Sequence, residues 1–185
     1  MKIPRNAKKV FDGVIFNIYQ WQQQMYDGSY QTFEKAKRPD TVNVFAITPE
    51  GKIILTKQSQ PGLEEYIGTL GGRVDAGEDH LTAAKRELLE ESGYASDDWQ
   101  LWFISEPLEK IDWQIHTYIA KNCKKVGESH QDPGEKIELV FVSFDELVND
   151  IIYRDNYREF EIMVKIVKAR RDPEEFEKIK KLFTP

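Results

Sequence analysis

Cysteine is almost absent from this sequence: Cys123 is alone among 185 residues, which excludes an intrachain disulfide. A chain without a disulfide scaffold fits a reducing cytoplasm, the compartment expected here, and Cys123 reads as a small apolar residue. No apolar run approaches the roughly 18 residues of a spanning helix. Residues Met1 to Lys9 carry positive charge with no apolar segment behind it, so neither a signal peptide nor a membrane partner is expected. Basic residues are in the minority, 26 against 32 acidic ones, for a formal charge of −6. That field does not concentrate a polyanion, which argues against a nucleic-acid partner while leaving room for a small anion in a local basic pocket. Histidine is scarce too: His80, His116 and His130 show no zinc-like spacing, and His116, inside a strand-like run, reads as a structural histidine.

What remains is the composition of an ordinary globular domain, 40% hydrophobic, 12% aromatic and 31% charged, in a chain long enough for one core. Apolar residues alternate from Val10 to Tyr19, and Asp27-Gly28 offers a turn before Tyr30 to Lys37, which predicts an N-terminal antiparallel hairpin. Thr41 to Thr48 and Lys52 to Gln58, separated by Pro49-Glu50-Gly51, predict a second hairpin. A loop rich in glycine and proline runs from Gln60 to Gly77. Beyond it Leu81, Ala84 and Leu88 recur at helical spacing, with Asp79 as N-cap and Gly93 as stop. Trp99 to Ser105, Trp113 to Ala120 and Ile137 to Ser143 read as strands, the last after a polar loop from Lys124 to Lys136; Trp99, Trp102 and Trp113 are expected in the core. Helices are expected at Phe144 to Leu147, Tyr157 to Arg170 and Pro173 to Phe183. Strands through two thirds of the chain, one helix among them and helices at the end indicate a mixed α/β or α+β fold.

The central helix carries the chemistry. Glu87, Glu90 and Glu91 lie at i, i+3 and i+4 and share a face, apart from Leu81, Ala84 and Leu88. Like charges so spaced destabilise a bare helix by roughly 0.2–0.5 kcal/mol per pair. Two readings follow: a hard divalent cation such as Mg²⁺ converts the repulsion into coordination, or the face is solvated and partly neutralised by Lys85 and Arg86. The preceding segment favours a site, because Gly71-Gly72 permits close backbone approach and Glu78 adds a carboxylate beside the acidic face.

Gly72, five residues, Glu78, seven residues and then Arg86-Glu87-Leu88-Leu89-Glu90-Glu91-Ser92-Gly93-Tyr94 resembles the Nudix box of the Nudix hydrolases. The flanks resemble the ADP-ribose and nucleotide-sugar pyrophosphatase branch: Phe33-Glu34 with Lys37 to Val42, Gln58 to Pro61 and His116 to Ala120. Gln58 and Gln60 stand in a stretch where that branch often has a basic residue. The resemblance implies a Nudix-fold α/β/α sandwich with a mixed sheet, over residues 41–185, and an N-terminal antiparallel β extension over residues 1–40. It implies metal ligation by Glu87, Glu90, Glu91 and the Gly71 carbonyl, with Gly72, Glu78, Arg86 and Gly93 structural. Mg²⁺, with Mn²⁺ as a substitute, is the implied cofactor, and a homodimer the implied assembly.

The implied reaction is attack of water on phosphorus in a nucleoside diphosphate sugar such as ADP-ribose, giving a nucleoside monophosphate and a sugar phosphate. Glu90 and Glu91 are its expected catalytic carboxylates on the helix. Of the loop acids Glu128, Asp132, Glu135 and Glu138, Glu135 is the expected ligand or base. Arg38 and Arg73 are candidate oxyanion contacts, and Phe33, with Trp21 and Tyr30 behind it, a candidate stacking ring. Two rivals remain: a Nudix pyrophosphatase for dinucleoside polyphosphates or nucleoside triphosphates, and a sensor that binds a nucleotide sugar without turnover.

Overall fold

The computed structural model describes residues 2–130 and 134–185. Its central sheet has the order β13-β5-β4-β11-β9, built from β4 (Thr41–Ile47), β5 (Ile53–Ser59), β9 (Asp98–Ser105), β11 (Ile115–Lys121) and β13 (Lys136–Val142). The sheet is mixed, since β4 and β11 run parallel while β4–β5, β5–β13 and β9–β11 are antiparallel. Period-two alternation along β4 sends Val42, Val44 and Ala46 to one face and Phe45 and Ile47 to the other. Helix α1 (His80–Ser92) covers the first face through Ala83, Ala84 and Leu88. The helices α2 (Phe144–Asn149), α3 (Phe160–Ala169) and α4 (Pro173–Leu182) cover the second through Leu147, Ile162, Ile166 and Ile179. Both faces being buried, β4 reads as a nearly unbroken apolar run, and the result is the expected α/β/α sandwich. No helix among the described residues is long and apolar enough to cross a membrane.

Two expectations need correction. The first strand does not run from Val10 to Tyr19: β1 (Lys8–Asp12) and β2 (Asn17–Gln24) are separate, and Gly13 N–H donates to the Phe16 carbonyl at 3.0 Å to close a tight turn. Val14 is consequently almost fully exposed, and β1, β2 and β3 (Tyr30–Lys37) form a three-stranded meander instead of a hairpin. The second correction concerns Gln60 to Gly77, where β6 (Tyr66–Gly68) pairs with β5 and β7 (Leu70–Arg73) pairs with β4. These strands are too short and too glycine-rich to show a period; their partners impose the conformation. Short pairings also appear at β8 (Tyr94–Ala95) with β12 (Lys124–Lys125). Trp99 and Trp102 are half-buried against the two core clusters, whereas half-buried Trp113 donates from Nε1 to Thr41 Oγ1 at 3.1 Å.

The N-terminal sheet is closed by β10 (Ile111–Asp112), parallel to β3. From there both chains continue side by side into the parallel β4–β11 pair, with Arg38 N–H on the Asp112 carbonyl at 3.3 Å and Thr41 N–H on the Gln114 carbonyl at 3.0 Å. This double crossing fixes Arg38 at the seam between the sheets.

Leu88, fully buried where α1 meets the sheet, tests this packing. Leu88→Ala is expected to lower stability by about 2–5 kcal/mol in chemical denaturation. A loss below about 1 kcal/mol would mean that α1 is not seated as described.

Candidate active site

Helix α1 starts where the Asp79 carboxylate accepts from Leu81 and Thr82 N–H, and it stops at Gly93, whose φ of 72° is left-handed. Between these caps its C-terminal half passes β7, where Gly71 adopts φ 143° and pairs with Asn43. A Cβ on Gly71 would overlap the Val42 carbonyl, and one on Gly72 would occupy the place of the Glu87 carboxylate. The glycine pair is what lets helix and strand close to hydrogen-bond distance: Gly71 N–H donates to Glu91 Oε2 at 2.8 Å.

Arg86 braces the carboxylates. Its Nε and Nη2 hold Glu78 as a fork, each at 3.1 Å. Nη1 reaches Glu87 at 2.8 Å and Glu90 at 3.0 Å, and Nη2 also donates to the Arg73 carbonyl at 3.0 Å. All five guanidinium donors are thereby used, so Arg86 has none to offer a substrate. Its own pKa is raised, mainly by the bond to Glu78. Glu78 in turn accepts from Asp75 N–H at 3.2 Å, fixing the loop to the helix.

Glu91 is the exception in this network, 7% exposed and outside the reach of Arg86. Desolvation pushes its pKa up to about 8, and the nearby Glu87, Glu135 and Glu90 add to the shift against the opposing Gly71 N–H bond. Burial likewise raises Glu87. Glu135, just before β13, lines the same cleft, and Gln60 Nε2 donates to its Oε1 at 3.0 Å.

The cleft so formed has a volume of about 660 Å³. Its lining combines the carboxylates Glu87, Glu90, Glu91 and Glu135 and the glycines Gly71 and Gly72 with Arg38, Arg73, Arg86, Asp75, Gln60 and Ile15; Arg73 pairs with Asp75 at 3.4 Å. Arg38 lies over the Trp113 ring at 4.5 Å, and its Nε is buried without a hydrogen-bond partner among the described residues. Burial, then the charge of Arg73, lowers the Arg38 pKa. Two guanidiniums in one cleft, one with an unsatisfied donor, suit a bound oxyanion.

The structure thus brings together every expected metal and helix residue with Glu135, Arg38 and Arg73. Phe33 is not among the cleft's lining residues; it packs on Trp21 in the N-terminal sheet, ring centroids 6.1 Å apart. Exposed Glu128 pairs with Lys125 at 3.6 Å, Glu138 lies on β13 opposite Lys57, and Asp132 falls outside the described residues. Ile15 and the Gln60–Glu135 bond are additions that no local pattern in the sequence announced.

A hard divalent cation fits this donor set. The oxygens are carboxylates and a backbone carbonyl, and Glu91 is buried with its charged form disfavoured, a condition a cation reverses. When bound, such an ion supplies charge neutralisation and polarisation at the phosphoryl oxygens.

The chain belongs to the Nudix hydrolases, because the NUDIX domain family profile matches residues 37–162. It is an enzyme of that class. Its sequence is 31% identical over 149 residues to the methanol dehydrogenase activator of Bacillus methanolicus, covering 78% of this chain and 80% of that protein. It is 29% identical over 154 residues to the ADP-ribose pyrophosphatase of Bacillus subtilis (strain 168), covering 81% and 83%. A crystal structure of an ADP compounds hydrolase superposes with a TM-score of 0.67 at 19% identity, over 91% of this chain and 94% of that one, and shares the fold.

The Glu91 pKa gives a pH test on chelator-treated protein. An unfolded glutamate titrates near about 4.3, against about 8 in the fold. Folding therefore takes up a proton between those values, so the contribution of this group is fully present below the lower one and is lost as pH rises through the higher. Denaturation stability is expected to fall more steeply from about pH 6 to about pH 8.5 in the wild type than in Glu91→Gln, and Mg²⁺ should remove the difference. Parallel profiles would contradict the burial of an unpaired carboxylate.

Proposed function

We propose that this chain hydrolyses the diphosphate linkage of ADP-ribose or another nucleoside diphosphate sugar in a Mg²⁺-dependent reaction, releasing a nucleoside monophosphate and a sugar phosphate. The observation that carries the reading is a single cleft lined both by carboxylates, Glu87, Glu90, Glu91 and Glu135, and by the guanidiniums of Arg38 and Arg73. A diphosphate is the ligand that engages both, the first through a cation and the second through arginine forks. The similarity to an ADP-ribose pyrophosphatase supports the same substrate class.

In this reading Glu87, Glu90, Glu91 and the Gly71 carbonyl hold the cation, while Arg86 and Glu78 keep the carboxylates in place. Arg38 and Arg73 bind and orient the diphosphate. Glu135, oriented by the Gln60 bond to its Oε1, takes the proton of the attacking water. Phe33 serves the nucleotide only where a second protomer brings its N-terminal sheet to the cleft. Exposed Val10, Phe11, Val14 and Ile15 on and beside β1 give that sheet an apolar surface suited to such a homodimer. The segment up to residue 40 is then the extension and the remainder the hydrolase unit, working in a reducing cytoplasm where the buried Cys123 stays a thiol.

Kinetics with Mg²⁺ and ADP-ribose test the roles. Glu91→Gln is expected to retain its melting transition and lose at least about a hundredfold in kcat, because a ligand oxygen is gone. Glu135→Gln should lower kcat more than it raises KM. Near-normal turnover in Glu91→Gln would overturn the metal assignment, and an unchanged kcat in Glu135→Gln would remove it as the base.

A further inference from the structure

At the opposite end of α1 the fold assembles a group that the sequence keeps far apart. His80 is the first residue of the helix, Asp40 directly precedes β4, and His116 lies on β11. One ligand atom from each falls within 4.8 Å of the others. His80 Nε2 and Asp40 Oδ2 lie at hydrogen-bond distance, 3.0 Å, and the two imidazoles stack with centroids 3.6 Å apart and planes 16° from parallel. Gln114 acts on two members at once: its N–H donates to Asp40 Oδ1 at 2.9 Å, and its side-chain oxygen lies 3.3 Å from His116 Nε2.

We propose that Asp40, His80 and His116 form a second metal site, for a borderline transition cation such as Zn²⁺, separate from the carboxylate cleft.

The chemistry of the donors carries this. Two imidazoles and one carboxylate are the ligand set of open, three-residue zinc sites, with the fourth position left to water, whereas Mg²⁺ favours the all-oxygen cleft. Gln114 supplies the outer hydrogen bonds that such sites use: its N–H holds Asp40 Oδ1, leaving Oδ2 on the side of His80, and its side-chain oxygen beside His116 Nε2 favours the tautomer with the lone pair on Nδ1. Burial, and then the neighbouring His80, hold the His116 pKa below its ordinary value against the pull of Asp40, so the ring is neutral and able to ligate. His80 and Asp40 are each about a third exposed, 32% for both side chains, which opens a path for the ion. The cation takes the place of the contact between His80 and Asp40 and separates the stacked rings. The ligand atoms, now within 4.8 Å of one another, must stand about 3.3 Å apart around a tetrahedral zinc, a movement within reach of a partly exposed side chain on the first turn of a helix.

The site is independent of the hydrolase carboxylates. Glu87 to Glu91 lie seven to eleven residues further along α1, or roughly 10–16 Å at the helical rise. Its ligands come from three elements that the core must hold together, so occupancy fastens the start of α1 to β4 and β11.

The test is a titration of chelator-treated, full-length protein with Co²⁺ and Zn²⁺ in excess Mg²⁺, which keeps the acidic cleft filled. The expected result is one equivalent bound, a visible Co²⁺ absorption of tetrahedral type, and a higher melting temperature with Zn²⁺. His80→Gln, a partly exposed change that leaves the core intact, and His116→Gln should each weaken binding at least roughly tenfold and abolish the absorption, while Glu91→Gln should keep both. Absence of binding in excess Mg²⁺, survival of the signal in His80→Gln, or its loss in Glu91→Gln would each overturn the proposal. The readout is metal binding alone, so a failure of the hydrolase reading is detected separately, by turnover.

Discussion

The burial of Glu91 is the constraint on which the rest of the site depends. Its carboxylate lies in the angle between α1 and β7, accepts the Gly71 N–H, and gains no cationic partner among the described residues. An unpaired buried carboxylate opposes folding unless it is protonated or meets a cation. The surrounding architecture keeps it there nonetheless: Leu88 anchors the helix from one side, Gly71 and Gly72 admit no side chain, and β7 is held to β4 in register. The strain is local and chemical, and on the proposed function a divalent ion relieves it.

Arg86 makes the complementary contribution. A single guanidinium with five engaged donors ties the loop residue Glu78, the helix residues Glu87 and Glu90, and the Arg73 carbonyl into one rigid unit. Lysine, a point charge with three donors, cannot reproduce that fork. The charge that Arg86 supplies is spent on Glu78, Glu87 and Glu90, which leaves Glu91 and Glu135 as the cleft carboxylates free of its compensation. In the same cleft Arg38 is in the reverse condition, a half-buried guanidinium whose buried Nε has no partner among the described residues. Uncompensated charges of opposite sign in one cleft are what the proposed function uses, a cation with a diphosphate supplying both signs.

Much of this was legible in the sequence, and the reasons are physical. Helix α1 announces itself by Asp79, Gly93 and a 3.6-residue period, all local properties. Strand β4 was visible as a short β-branched run. The acidic face followed from spacing alone, and the loop and helix became one site through the glycine pair. What stayed hidden depends on distant partners. Strands β6 and β7 have no period of their own, and β1 and β2 are parted by a turn at Gly13 that interrupts an otherwise convincing alternation. Glu135 was already the expected loop acid, but its bond to Gln60, 75 positions away, had no signal in the sequence. The grouping of Asp40, His80 and His116 arises only when β4, α1 and β11 are packed together, so histidine spacing along the chain could not reveal it.

The central claim is that the carboxylates and guanidiniums of this cleft act on one diphosphate. Phosphorus NMR of the full chain with Mg²⁺ and a panel of ADP-ribose, GDP-mannose, UDP-glucose, a diadenosine polyphosphate and a nucleoside triphosphate tests it most directly, since the spectrum reports both turnover and the bond broken. The account predicts that a nucleotide sugar is converted to two phosphomonoester signals, those of a nucleoside monophosphate and a sugar phosphate. Unchanged diphosphate resonances for every nucleotide sugar, with Mg²⁺ present and Glu91 intact, would contradict it.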